Sequence, residues 1–273
     1  VNLLQFFREH NDEIVALLKE LVVRESPTGD KRAVDALGEF IVEQLRASGA
    51  QVEVFPRQEV GDIIYAAWNG NLPGKPILLM GHMDTVWPVG TLKDMPLWQD
   101  GVRLYGPGIL DMKAGLALIL KTLDLLRLHG ELPRRPIWAL FNTDEERGSV
   151  HSRQLIETIA ANAGLVLVFE PATLGETVKT ARRGTARFTV HVEGVPAHSG
   201  EEPEKGVNAI HEAARLILQI ADWNAPKRGT SVAVNLIEGG TAANIIAPHV
   251  EFLVDMRFTS QQEADRLVER IRT

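Results

Sequence analysis

The chain has 273 residues, with 29 Lys and Arg against 36 Asp and Glu and a formal net charge of −7. Its 45% hydrophobic and 24% charged content is ordinary globular usage, which excludes a disordered or fibrous chain, and roughly 150 residues per domain predicts about two domains. Cysteine is absent, so thiolate metal sites, cysteine nucleophiles and disulfides are excluded, and net acidity without a dense Lys/Arg run predicts no nucleic-acid partner.

Ile14, Leu17, Leu18 and Leu21 share one helical face, and Val34, Leu37, Ile41 and Leu45 repeat the pattern before Gly49 supplies a stop. Ile63–Ala67 and Pro76–Met80 read as strands separated by a turn rich in Asn, Gly and Pro. Lys113–His129 reads as a helix apolar on most sides, hence one buried against a sheet. Pro136–Phe141 and Leu165–Phe169 are short apolar runs, as expected of interior strands in a mostly parallel sheet.

After Arg183 the pattern changes. Phe188, Val190 and Val192 alternate with polar residues, which marks a sheet with one wet face. A helix over about Lys205–Ala221, strands at Ser231–Glu238 and Val250–Phe258, and a helix from Gln261 follow. This order, βαββα, is one strand short of a ferredoxin-like unit. The chain therefore reads as an α/β domain over 1–183 and an α+β domain over 184–273. No apolar run approaches the ~20 residues of a membrane span. Val1–His10 also lacks the basic start and apolar core of a leader. The expected place is the cytoplasm, or the periplasm or outside if a leader was removed, with no membrane partner.

Several apolar runs end in residues that bind protons or metals. Ile77–Met80 leads into His82 and Asp84, Leu104–Leu110 into Asp111, Pro136–Phe141 into Asp144, Glu145 and Glu146, and Leu165–Phe169 into Glu170. Carboxyl ends of parallel strands line the ligand crevice of α/β sheets, so these clusters are expected to converge. One such acid alone is more often a helix cap or a solvated charge, but four strand ends carrying them together are not explained that way. Crowded carboxylates repel unless a cation joins them. One imidazole with three carboxylates suits zinc (Zn²⁺), with Mn²⁺ or Co²⁺ as alternatives. In an extended segment His82 and Asp84 point the same way, so Asp84 is placed to orient the imidazole. Adjacent Glu145 and Glu146 point differently, so one can ligate while the other handles a proton. Phosphate-loop, dinucleotide and nucleophile-elbow patterns fail on spacing.

The segments Met80–Val86, Tyr105–Gly108, Asp111–Gly115, Phe141–Glu146 and Phe169–Pro171 resemble the M20 family of metallopeptidases, in order and over essentially the whole chain. The resemblance implies a catalytic α/β domain holding two zinc ions and an inserted ferredoxin-like lid through which two chains form a homodimer. It makes His82 and Glu170 ligands of one zinc, Glu146 a ligand of the other, Asp111 the bridge, Glu145 the general base and Asp84 the orienter of His82. It implies a cis peptide after Asp111. In the lid, Pro196–Gly200 resembles the family's histidine loop, making His198 a residue that reaches the partner's active site. Asn244 and Arg257 fall at substrate-binding positions. The family pattern also includes a further histidine, a last lid strand and a return to the catalytic domain, none of which occurs before Thr273, so both domains are expected to be incomplete at the C-terminus.

The activity so implied is hydrolysis of an amide bond in a small peptide or N-acyl amino acid, releasing a C-terminal residue, with glutamate expected and Arg257 pairing with its carboxylate. The alternatives are an aminoacylase of the same family, or a metal-binding, dimerising fragment without turnover.

Overall fold

The computed structural model describes residues 3–172 and 177–272. The chain divides into two compact units, Val1–Thr173 and Leu174–Thr273. Among the described residues no helix is long and apolar enough to cross a membrane.

The first unit opens with helices α1 (Leu3–Glu9), α2 (Asn11–Val22) and α3 (Lys31–Ala47). Asp30 caps α3 by accepting a hydrogen bond from the Ala33 amide at 3.0 Å, which satisfies one of the orphan donors of a helix start. The expected stripe Val34, Leu37, Ile41 and Leu45 is buried. Strands β1 (Gln51–Phe55), β2 (Ile63–Trp68) and β3 (Ile77–His82) come next. A short helix α4 (Thr91–Asp94) and a hairpin of β4 (Trp98–Asp100) and β5 (Arg103–Tyr105) follow, then α5 (Ala114–Leu128), β6 (Ile137–Asn142), α6 (Arg153–Asn162) and β7 (Leu165–Val168).

The main sheet has the order β1-β2-β6-β3-β7. β6-β3-β7 are parallel, whereas β1-β2 and β2-β6 are antiparallel, so the parallel half of this α/β sheet is the part that carries the strand ends singled out above. Alternation along each strand separates two cores. Ile64, Ala66, Leu79, Ala139 and Phe141 face α2, α3 and α5, and Ile63, Leu78 and Leu140 face Leu155, Ile156 and Ile159 of α6. As its all-round apolarity predicts, α5 is buried through Leu116, Ile119, Leu120 and Leu123. β7 departs from the reading as an interior strand: it stands at the sheet edge, and Leu165 to Val168 are all exposed. An apolar run reports a strand's preference for cover on both faces, and says nothing of its place in the sheet order or of whether this chain supplies the cover.

The second unit contains β8 (Gly184–Glu193), α7 (Ala209–Ala221), β9 (Ser231–Gly239), β10 (His249–Phe258) and α8 (Gln261–Arg272). Its sheet, β8-β10-β9, is antiparallel throughout. Val250, Phe252, Val254 and Met256 of the central strand are buried with Val192, Ala213, Ile220 and Leu267, which is the one-sided burial that the alternation predicts.

Candidate metal centre

The parallel register brings three of the acidic clusters side by side. His82 at the end of β3 is level with Asn142 at the end of β6, and the Phe169 amide bonds the Met80 carbonyl at 3.0 Å, bringing Glu170 alongside. Asp144, buried after β6, accepts hydrogen bonds from the amides of His151 at 2.6 Å and Ser152 at 3.3 Å. This holds the turn that displays Glu145 and Glu146.

Asp111 arrives differently from its expected place at a strand end. β5 ends at Tyr105 and, among the described residues, pairs with β4 alone; Asp111 stands beyond it in an irregular helical turn, Ile109–Lys113, ahead of α5. The Asp111–Met112 peptide is cis. The Met112 sulfur accepts the His82 amide at 3.1 Å, joining this turn to β3. Gly115 in the first turn of α5 lies so close to the end of β7 that a Cβ there would come within 2.1 Å of the Phe169 carbonyl oxygen.

The His82 imidazole is 1% exposed. Its Nδ1 lies 2.9 Å from the Asp84 carbonyl oxygen, an atom that only accepts, so Nδ1 carries the proton and Nε2 faces the carboxylates. Nε2 is 3.0 Å from Asp111 Oδ1 and 3.4 Å from Glu170 Oε1. The Asp84 carboxylate stands 3.3 Å from Nδ1, so Asp84 orients the ring mainly through its backbone carbonyl, with the carboxylate as a longer second contact.

Two sets of donors, His82–Glu145–Glu170 and His82–Asp111–Glu146, each have ligand atoms within 4.8 Å of one another. Burial by itself would depress the His82 pKa, but the hydrogen-bonded Asp84 and Glu170 carboxylates outweigh it and push it up to about 11. Burial, reinforced by neighbouring carboxylates, raises the pKa values of Glu145 and Glu146 above the ordinary range. The carboxylates crowded here thus favour the charged imidazole and add to the effect of burial on the two glutamates. A nitrogen with several carboxylate oxygens fits divalent cations in donor type and in charge.

In the second unit, two of the three expected substrate residues are neighbours. His198 and Ile245 form a β-bridge, and the Ser199 amide donates to the Asn244 carbonyl at 3.0 Å. Both His198 and Asn244 are exposed. Arg257 is not with them: it lies near the far end of β10, where Nε and Nη2 pair with Asp255 at 2.8 and 2.9 Å.

Residues not singled out in the sequence also shape the centre, and several come from the strap after α2. Ser26 donates to the Met83 carbonyl at 2.7 Å and Thr28 to the Asp84 carboxylate at 2.8 Å. Glu25 holds the amides of Gly90 and Leu92 at 2.6 and 2.8 Å. Lys113, 2% exposed, donates to the carbonyls of Leu21 and Arg24 at 3.0 and 2.6 Å, and burial pushes its pKa down to about 7. The sequence signal for this strap is slight: a Ser-Pro-Thr break after an amphipathic helix.

The signature of the M20 peptidase dimerisation domain matches residues 180–273, and that of peptidase family M28 matches residues 64–190. Carboxypeptidase G2 of a Pseudomonas species is 36% identical over 266 residues, 96% of this chain but 64% of that protein, so the chain spans less than two thirds of this relative. Succinyl-diaminopimelate desuccinylase of Burkholderia ambifaria is 30% identical over 94% of the chain and 72% of its own length. The crystal structure of the aminopeptidase PepT of Bacillus cereus shares the fold, with a TM-score of 0.80 at 22% identity over 96% of this chain and 70% of that one. Likeness running through both units, from the acidic strand ends to the dimerisation signature, makes this chain a member of the M20 family of metallopeptidases.

Proposed function

We propose that the chain carries the metal centre of a carboxypeptidase-type amidohydrolase that releases a C-terminal amino acid, glutamate foremost, from small peptides or N-acyl amino acids. The observation that carries this reading is the convergence of His82, Asp111, Glu145, Glu146 and Glu170 in two overlapping groups of metal-binding atoms. His82, Asp111, Glu146 and Glu170 would hold two divalent cations, zinc by donor type. Such cations supply Lewis acidity to an amide carbonyl and lower the pKa of water. Glu145 is the residue to take a proton from the attacking water and deliver it to the leaving amine. Asp84 keeps the His82 ring in one tautomer. His198 and Asn244 are assigned to the substrate, and Arg257, a planar cation, to its carboxylate. The second unit is the homodimer interface, in keeping with its signature.

A second reading, an N-acyl hydrolase that removes an acyl group from an amine, is favoured by the likeness to a desuccinylase. The test is a panel of N-acylated and peptidyl glutamates against succinylated amines, assayed with Zn²⁺, Co²⁺ or Mn²⁺. Faster release of glutamate is expected. Faster desuccinylation selects the second reading, and no hydrolysis with any of the three cations removes both.

A further inference from the structure

We infer that Thr28 is a positioning residue of the metal centre: its hydroxyl fixes the Asp84 carboxylate, and Asp84 in turn joins His82 to the turn carrying Glu145 and Glu146. The inference rests on the metal-centre reading above and adds a residue that acts through another.

Asp84 is fully buried, and each of its carboxylate oxygens has two neighbours. Oδ1 lies 3.3 Å from His82 Nδ1 and accepts the Glu145 amide at 3.3 Å. Oδ2 accepts the Glu146 amide at 3.3 Å and the Thr28 hydroxyl at 2.8 Å. Three of these four contacts sit beyond the usual hydrogen-bond range, and only the one from Thr28 has the length of a strong O–H to carboxylate bond. The rotamer of Asp84 is therefore set from the Thr28 side. Through that carboxylate, the His82 ring and the backbone of the turn carrying the base Glu145 and the ligand Glu146 are referred to a single point.

Thr28 is itself fixed. Its amide donates to the Thr85 carbonyl at 3.2 Å, the Thr85 amide donates to the Ser26 carbonyl at 2.8 Å, and the Ser26 hydroxyl holds the Met83 carbonyl at 2.7 Å. The strap is thus laced to the segment after β3 across three successive residues, Met83, Asp84 and Thr85. At 5% exposure Thr28 leaves little room for water to replace its hydroxyl, so a carboxylate deprived of it stays buried with a donor missing.

The test is the Zn²⁺ affinity of the whole chain, read by competition with a chromophoric chelator, for the wild type, Thr28→Val and Thr28→Ser. Valine keeps the shape and removes the hydroxyl; serine keeps the hydroxyl and removes the methyl. Loss of a partner that directly orients a ligand typically costs 10–100-fold in metal affinity; Thr28 acts one residue further out, so T28V is expected to bind zinc several-fold to about tenfold more weakly, while T28S binds as the wild type does. In an Asp84→Asn background T28V is expected to cost nothing further, because the two residues act in series. Equal affinities for T28V and wild type, a T28S as weak as T28V, or full additivity with D84N would each overturn the inference and leave the metal centre standing. A wild-type chain that binds no zinc overturns the metal-centre reading and takes this inference with it.

Discussion

At the scale of single residues, the sharpest question is which of Glu145 and Glu146 touches the metal. The resemblance makes Glu145 the base and Glu146 the ligand, yet Glu145 also closes one of the two donor sets with His82 and Glu170. Its exposure exceeds that of Glu146, which suits a group that must meet water. We predict that Glu145→Gln keeps the zinc content of the wild type while turnover falls by about 10²–10⁴-fold, the usual worth of a general base. Elemental analysis beside a rate assay separates the roles, because a variant that loses a zinc ion shows Glu145 to be a ligand. The side chains of this centre were legible in the sequence to the extent that strands announce their ends: His82, Glu145, Glu146 and Glu170 each follow an apolar run. Thr28 and Lys113 were not. Thr28 meets Asp84 across 56 positions of sequence, and Lys113 has the local look of a solvated lysine at a helix start although it is buried.

At the scale of elements, α8 is held to the second unit by a charged contact as well as by Leu267. Glu263 in its first turn accepts from Arg266 at 2.8 Å, from Thr230 at 2.7 Å and from Arg228 at 3.4 Å. The hydrogen bonds from Arg266, first, and then Thr230 hold the Glu263 carboxyl down at about 2, against an ordinary 4.5. A carboxyl whose pKa is lower in the folded state than in the unfolded one contributes stability above its ordinary pKa and loses it as the pH falls through the folded value. Glu263→Gln is therefore expected to lower the thermal midpoint of the second unit at neutral pH, with the gap to wild type closing as the pH falls from about 4.5 to about 2. Thermal scans across that range check it, and a gap that does not change with pH assigns the effect to shape rather than charge. The elements read most surely were those with one clear period: the stripe of α3, the all-round apolar α5 and the alternation of β8 and β10. The hairpin β4-β5 and the short helix α4 escaped because three or four residues hold no period. Asp111 was misplaced to a strand end for the same reason, since the apolar residues before it cross a turn.

At the scale of the whole molecule, each unit has an apolar core of its own. Leu21, Leu37, Leu116 and Phe141 belong to the first, and Phe252, Val254 and Leu267 to the second. The proposed metal ligands His82, Asp111, Glu146 and Glu170, with the proposed base Glu145, all fall in Val1–Thr173. A cation that binds only the native form stabilises what it binds, by about 2.7 kcal/mol at a hundredfold excess over its dissociation constant. For a unit of this size that converts to a rise of roughly 5–10 °C in the unfolding midpoint. We therefore predict two thermal transitions by calorimetry, with Zn²⁺ raising one of them by that amount and leaving the other in place. The Glu263→Gln variant assigns them, because it should lower the transition that zinc leaves alone. A single transition, or two that zinc raises equally, would show that the units do not unfold separately and that the metal's stabilisation reaches beyond the core on which its ligands stand.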